Sequence, residues 1–227
     1  MEGSQRQKLI VLGVFALIAV GVVAAILIGR SGGDGDETAT EASASGGCQQ
    51  VEAPKPKNVS FGAPKQTVAK GDRLTAVVET SCGSFEIALD AKRAPKTVNS
   101  FVFLSEKGFY DGLTFHRVVP EFVIQSGDPL GTGSGGPGYS VDEQPPANLA
   151  YTKGVVAMAK SEAEPPGRSG SQFFVVFNAD AGLPPEYALV GRVSEGLDVV
   201  ERIGELATPA QKPKQTVLIE EISIEEG

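Results

Sequence analysis

Residues 115–129, FHRVVPEFVIQSGDP, set one Arg and one Gln among large apolar side chains. A guanidinium stays charged at physiological pH and holds its donors in a fixed plane, so Arg117 near Gln125 is suited to steadying a polar group in apolar surroundings. A lone Arg is more often half of a surface ion pair, and this stretch alone leaves both readings open. The following run, GTGSGGPGY at 131–139, has the composition of a phosphate cradle. A dinucleotide fingerprint needs a strand before it and a helix after it. No helix starts at Pro137-Gly138-Tyr139, so a tight surface loop and no nucleotide cofactor are expected. One His, His116, and two Cys, Cys48 and Cys82, cannot build a typical structural zinc site, so no metal is expected. A formal net charge of -8 argues against a nucleic-acid partner. The two Cys admit either a disulfide or two free thiols, and nothing around them supports a catalytic thiol.

The elements that must carry these residues begin at Leu74. Residues 74–79, and then Phe85, Ile87 and Leu89 at every second position, predict a hairpin around Ser81-Cys82-Gly83-Ser84 with one face buried. Pro95 opens a helix in which Val98, Phe101, Val102 and Ser105 recur at helical spacing until Gly108, and a second helix is expected over 197–206. Short apolar or alternating runs at 118–124, 154–159, 172–177, 188–193 and 217–224 complete the pattern of a β-barrel or sandwich. Pro120-Glu121 is expected to bend the first run and reset its facing.

Residues 9–28 hold no charged or hydrogen-bonding side chain. At about 1.5 Å per residue they span roughly the 30 Å hydrocarbon core, and a cleaved signal has a shorter apolar region of about 7–15 residues. A transmembrane anchor is therefore expected at 9–29, after a cytoplasmic N-terminus at 1–8. Arg6 and Lys8 precede it, whereas Asp34, Asp36, Glu37 and Glu41 follow Arg30, which orients the remainder outward as a single-pass protein of the cell membrane. Residues 30–47 read as a flexible linker and 48–73, with Pro54, Pro56 and Pro64, as an extended arm ahead of a domain at 74–227. An outward-facing domain permits a Cys48–Cys82 disulfide, whose loop closure would contribute roughly 3–4 kcal/mol. Asn58-Val59-Ser60 fits a glycosylation sequon, a pattern short enough to arise by chance.

Phe115-His116-Arg117, Gln125, Gly127-Asp128-Pro129, the glycine-rich run, Gly154-Val155 with Met158-Ala159, and Gly170-Ser171-Gln172-Phe173-Phe174 follow one another in an order that resembles the cyclophilin-type peptidyl-prolyl cis-trans isomerases. The resemblance extends from about Leu74 to Ile224. It implies a mainly β fold, a closed eight-stranded antiparallel barrel capped by two α-helices, and a rotamase that acts on proline-containing polypeptides without a cofactor. The long loop at 161–168, SEAEPPGR, is consistent with a bacterial, membrane-anchored branch.

An X-Pro amide has a rotation barrier of about 18–20 kcal/mol and isomerises in tens to hundreds of seconds. Millisecond turnover requires removing roughly 5–7 kcal/mol of it. No covalent step is needed, because twisting localises a lone pair on the imide nitrogen that a placed cationic donor stabilises more than the planar amide. The resemblance implies that role for Arg117, with Gln125 orienting it. Phe122, Val123, Phe174 and Leu183 would line the proline pocket, Tyr187 would pack beside the ring, and Ala159, Lys160 and Gln172 would contact the peptide backbone. Phe173 would face the core, and His116 would shape the pocket edge as a packing and hydrogen-bonding residue and not as a general base, since no proton is transferred. Many members carry Met at Val123, Asn at Lys160, Trp at Gly182 and His at Tyr187. Losing that indole should weaken cyclosporin-like ligands more than turnover. The resulting expectation is a monomeric isomerase serving the folding of exported proteins; the alternative is a proline-peptide binding module or holdase chaperone with little turnover.

Overall fold

The structure, a computed structural model, describes residues 47–227. The expected anchor and nearly all of the expected linker lie outside them. No helix among the described residues is long and apolar enough to cross a membrane.

The chain order is β1 (Leu74–Thr80), β2 (Gly83–Leu89), α1 (Pro95–Glu106), β3 (Arg117–Val118), β4 (Val123–Ser126), β5 (Val141–Asp142), β6 (Val155–Met158), β7 (Arg168–Ser169), β8 (Phe173–Val176), β9 (Leu189–Glu195), α2 (Leu197–Gly204) and β10 (Ile219–Glu226). Pro95 stands in the first turn of α1, where a missing N–H costs nothing. The next two amides, of Lys96 and Thr97, donate to the Glu143 carboxylate at 3.1 and 2.7 Å, so an acid from a distant loop caps the helix. Asp198 in the first turn of α2 and Arg202 in its last complement the helix dipole, while Val199, Val200 and Ile203 turn inward.

Eight strands form one antiparallel sheet in the order β10-β1-β2-β9-β6-β8-β4-β3, and β5 pairs with β7. The expectation of a closed barrel is corrected, because the edge strands β3 and β10 share no ladder. They are joined only by a short bridge around Thr114 and Leu218, with Gly112 N–H on Ile219 O at 2.7 Å and Phe115 N–H on Val217 O at 3.0 Å. The physical reason lies in β3 itself. It is two residues long, Pro120 follows it, and Val118 N–H donates to the Gln211 carbonyl at 3.0 Å instead of to β10. The run at 118–124, expected to bend at Pro120-Glu121, is two strands joined by a turn there, with Glu121 at φ 52°.

Two apolar clusters divide along the pleat. Val118, Ile124, Val156, Met158, Phe173 and Val175 join one that includes α1 and α2. Their neighbours Val123, Val155, Ala157, Phe174 and Val176 join the other.

Ahead of β1, residues 47–73 form no helix or strand. Cys48 and Cys82 are joined by a disulfide, Gln49 N–H donates to Ser81 O at 2.7 Å, and the Asn99 side-chain oxygen accepts from the amides of Thr67 and Val68 at 2.7 and 3.0 Å.

Candidate active site

β3 and β4 place Arg117 directly opposite Gln125, and β4 and β8 place Gln125 opposite Phe174. From Arg117 a file of hydrogen bonds runs in one direction. Its Nη1 donates to Gln125 Oε1 at 3.1 Å, Gln125 Nε2 donates to Gln172 Oε1 at 3.0 Å, and Gln172 Nε2 donates to the carbonyls of Gly133 and Gly135 at 3.0 and 2.9 Å. Each donor polarises the next, which stiffens the series. On its other side Arg117 Nε donates to Gln211 Oε1 at 2.9 Å. Two of the five guanidinium N–H groups are thereby committed, and the others have no partner among the described residues. Burial draws the Arg117 pKa down from its ordinary value, with Tyr187 opposing. A guanidinium nevertheless stays charged at neutral pH.

Beside this file lies the second apolar cluster. Phe122, Val123, Ala159, Phe174, Leu183 and Tyr187 all belong to it. The rings of Phe174 and Tyr187 meet edge to face at 5.5 Å, and Tyr151 completes the group at 5.8 Å from Tyr187. The buried Tyr151 hydroxyl donates to Tyr187 O at 2.6 Å and accepts from Tyr187 N–H at 2.9 Å, so it fixes that residue's backbone. Burial pushes the Tyr151 pKa up to about 12, which keeps the hydroxyl protonated in this role. An open groove of about 790 Å³ adjoins Gln125 and Gln172, bounded by residues 133–140, 159–161 and 170–172. The rim is open at Gly182, where an added Cβ would meet no neighbour within 4 Å.

Three residues stand differently from the sequence expectation. Lys160 reaches the rim, but its ammonium is engaged within the protein: it lies 3.3 Å from Glu186 Oε2, donates to the carbonyls of Ser161 and Glu164, and sits 5.6 Å from the centre of the Tyr187 ring. Gln172 is spent on the glycine-rich loop as well as on Gln125. His116 sits beside Asp128, Thr114 and Gln172, yet neither ring nitrogen makes a hydrogen bond of good geometry among the described residues. Burial lowers its pKa against an opposing pull from Asp128, so the ring is neutral at pH 7.

Two contributors escaped the sequence reading. Gln211, held at φ 58°, reaches Arg117 across 94 positions of chain; that left-handed conformation costs a non-glycine residue roughly 1–3 kcal/mol. Asp128 is buried, and its carboxylate accepts the amides of Leu130 and Thr132, each at 2.8 Å, and that of Gly133. Burial alone would raise its pKa, but the loop amides together bring it below the usual carboxylate value. Gln211 lies in a polar stretch without a marker, whereas Asp128 was visible as part of Gly127-Asp128-Pro129.

Residues 75–224 match the family model described as cyclophilin type peptidyl-prolyl cis-trans isomerase/CLD. A peptidyl-prolyl cis-trans isomerase-like 1 of Aspergillus oryzae is 37% identical over 155 residues, 66% of this chain and 94% of that protein. A peptidyl-prolyl cis-trans isomerase of Schizosaccharomyces pombe is 40% identical over 135 residues, 58% of this chain and 85% of its own. A crystal structure of a Cryptosporidium parvum cyclophilin-type isomerase superimposes with a TM-score of 0.63 at 28% identity, covering 68% of this chain and 99% of that one. A second structure of it, in the presence of the dipeptide Ala-Pro, gives a TM-score of 0.62 at 29% identity, covering 67% of this chain and 99% of that one. These relatives are eukaryotic, and they lend no support to the bacterial branch expected from the loop at 161–168.

Proposed function

This chain belongs to the cyclophilin-type peptidyl-prolyl cis-trans isomerase family, and from that premise we propose that Arg117 lowers the rotation barrier of an X-Pro bond seated against Phe122, Val123, Phe174, Leu183 and Tyr187. The chain is a peptidyl-prolyl cis-trans isomerase. The observation that carries the proposed mechanism is the pairing of Gln125 with both Arg117 and Phe174, which sets a charged donor at the edge of an aromatic pocket. A proline ring held on the aromatic side brings its imide nitrogen to the guanidinium side. As the amide twists, the nitrogen becomes a better acceptor, and the uncommitted N–H groups of Arg117 bind it more tightly than they bind the planar amide. Gln125 and Gln211 grip the guanidinium from two directions, so little reorganisation is needed when the charge shifts.

A protease-coupled proline-peptide assay on the full chain tests this reading. Arg117→Ala should lose about 10²–10³-fold in kcat/KM, the range for removing one placed donor. Wild-type turnover in Arg117→Ala overturns the mechanism, and peptide binding without turnover by the unaltered protein replaces it with the holdase reading.

The clients we propose are proline-containing segments of exported proteins, met outside the cytoplasm by a monomer anchored through residues 9–29. The apolar run of residues 9–28 supports the anchor, and the Cys48–Cys82 disulfide supports an oxidising compartment. Cell fractionation with alkaline extraction, paired with thiol labelling of the intact protein, tests both; a soluble protein with two reactive thiols contradicts them.

A further inference from the structure

We propose that arm residues 57–61 are a positioning element of the catalytic site, with Phe61 as the residue that seats them. The inference rests on the Arg117 mechanism and adds a segment that lies ahead of the family match, which begins at residue 75.

The hydrogen-bond file from Arg117 ends on two carbonyls, Gly133 and Gly135, in a loop with little means of holding its own shape. Five of the eight residues at 131–138 are glycine, a composition with large conformational freedom to lose and no side chains to pack. Asp128 fastens the loop's first half from inside through the amides of Leu130, Thr132 and Gly133. The arm fastens both flanks from outside. Lys57 N–H donates to Pro129 O at 2.8 Å, and Phe61 N–H donates to Pro137 O at 2.7 Å. The five arm residues 57–61 thus span the mouth of the loop. At Gly138, with φ at 91°, an added Cβ would collide with the Ser60 hydroxyl, so the arm lies in direct contact with the loop backbone.

The arm is itself fixed. The Phe61 ring packs edge to face on Phe103 of α1 at 5.8 Å and on Phe109 at 6.2 Å, and the Lys57 ammonium donates to the Asp111 carbonyl. Upstream the disulfide holds Cys48, and downstream Asn99 holds Thr67 and Val68. The line of contact is continuous from the aromatic anchor through Pro137 to the glycine carbonyls, then through Gln172 and Gln125 to Arg117. Freeing the arm lets the carbonyls drift, which loosens the grip on Gln172 and widens the range of guanidinium positions. The loss falls on kcat more than on KM, because the apolar pocket that binds the ring is untouched.

The test uses the full chain and compares Phe61→Ala, Phe61→Leu, Lys57→Pro and Arg117→Ala. Isomerase kinetics give kcat and KM separately, NMR follows the side-chain amides of Gln125 and Gln172, and thermal unfolding reports the fold. Phe61→Ala should lower kcat about tenfold with KM within about twofold, and should broaden or shift the Gln172 amide signal. Phe61→Leu, which keeps an apolar anchor, should recover most of kcat. Lys57→Pro removes both the amide donor to Pro129 and the ammonium contact to the Asp111 carbonyl while sparing the aromatic anchor, so it carries the same expectation, with a smaller fall, should Phe61→Ala fail to fold. Folded variants with wild-type kcat, or with a lowered melting temperature and unaltered Gln172 signals, overturn the proposal. A fully active Arg117→Ala defeats the underlying mechanism instead, so the two failures are distinguishable.

Discussion

The two ends of the main sheet treat their outer faces in opposite ways. In β1, β2 and β10 the buried positions alternate with solvated ones, and the solvated ones include Glu79, paired with Glu221, and Glu225, paired with Thr75. In β6 and β8 both faces are dry, and in β4 only Gln125 is half-exposed. Val155, Ala157, Phe174 and Val176 are buried on the outside as completely as Val156, Met158, Phe173 and Val175 are on the inside, which is why VVAM and FFVV read as unbroken apolar runs. A dry outer face must be covered, and here Tyr151, Leu183, Tyr187 and Phe122 cover it while the polar file from Arg117 runs along its border. The site sits where the strands depart from simple alternation, so that departure is the physical mark of function in this sheet.

Removing matched aromatics from the two regions tests the contrast most severely. Phe174→Ala and Phe85→Ala should each cost about 3–5 kcal/mol in denaturant unfolding. Only Phe174→Ala should also reduce kcat/KM per folded molecule, by about a hundredfold or more, with Phe85→Ala nearly unchanged; equal losses of activity would erase the distinction. Next in size is Gln125→Leu, which leaves Arg117 and Gln172 each short of a partner. Unpaired polar groups cost roughly 1–3 kcal/mol, so kcat should fall about tenfold with the pocket's affinity for a proline peptide preserved.

A smaller effect concerns His116. Burial lowers its folded pKa, so its contribution to stability is complete above the unfolded value of about 6.5 and is lost as pH falls below it through the folded value. Urea unfolding of wild type should show stability declining from pH 7.5 to pH 5, and His116→Gln should flatten that decline. An identical slope in the variant assigns the decline to other groups. Asp128, also lowered, contributes above about pH 4 and loses its contribution only as pH falls further. Smallest is Glu221→Lys on the solvated face, expected to change stability by no more than about 0.5 kcal/mol and activity not at all.

Alternation made the β1–β2 hairpin legible in the sequence, because one face of it is wet. At 118–124 alternation is silent, because apolar residues flank Pro120-Glu121 on both sides, and it is those two residues that mark the turn between β3 and β4. β5 and β7 are two residues each, and their pairing, not a hydrophobic pattern, makes them strands. Closure between β3 and β10 turns on where single amides such as Val118 N–H are spent, and periodicity carries no such information. In the site, Arg117 and Gln125 stood out as polar residues in an apolar stretch. Gln211 did not, because it acts from a loop rich in Pro and Lys. Lys160 looked free to meet a peptide because Glu186, its partner, becomes a neighbour only through the fold. The arm's bonds to Pro129 and Pro137 are backbone to backbone, and such contacts leave no trace in residue types.

NMR exchange on a proline peptide, with the full chain and with Arg117→Ala, reports occupancy and bond rotation in one experiment. If Arg117 acts on the twisted amide, the variant should bind the peptide within about threefold of wild type and rotate the bound X-Pro bond about a hundredfold more slowly. Rotation at the wild-type rate, or slowed only in proportion to lost binding, would contradict the central claim.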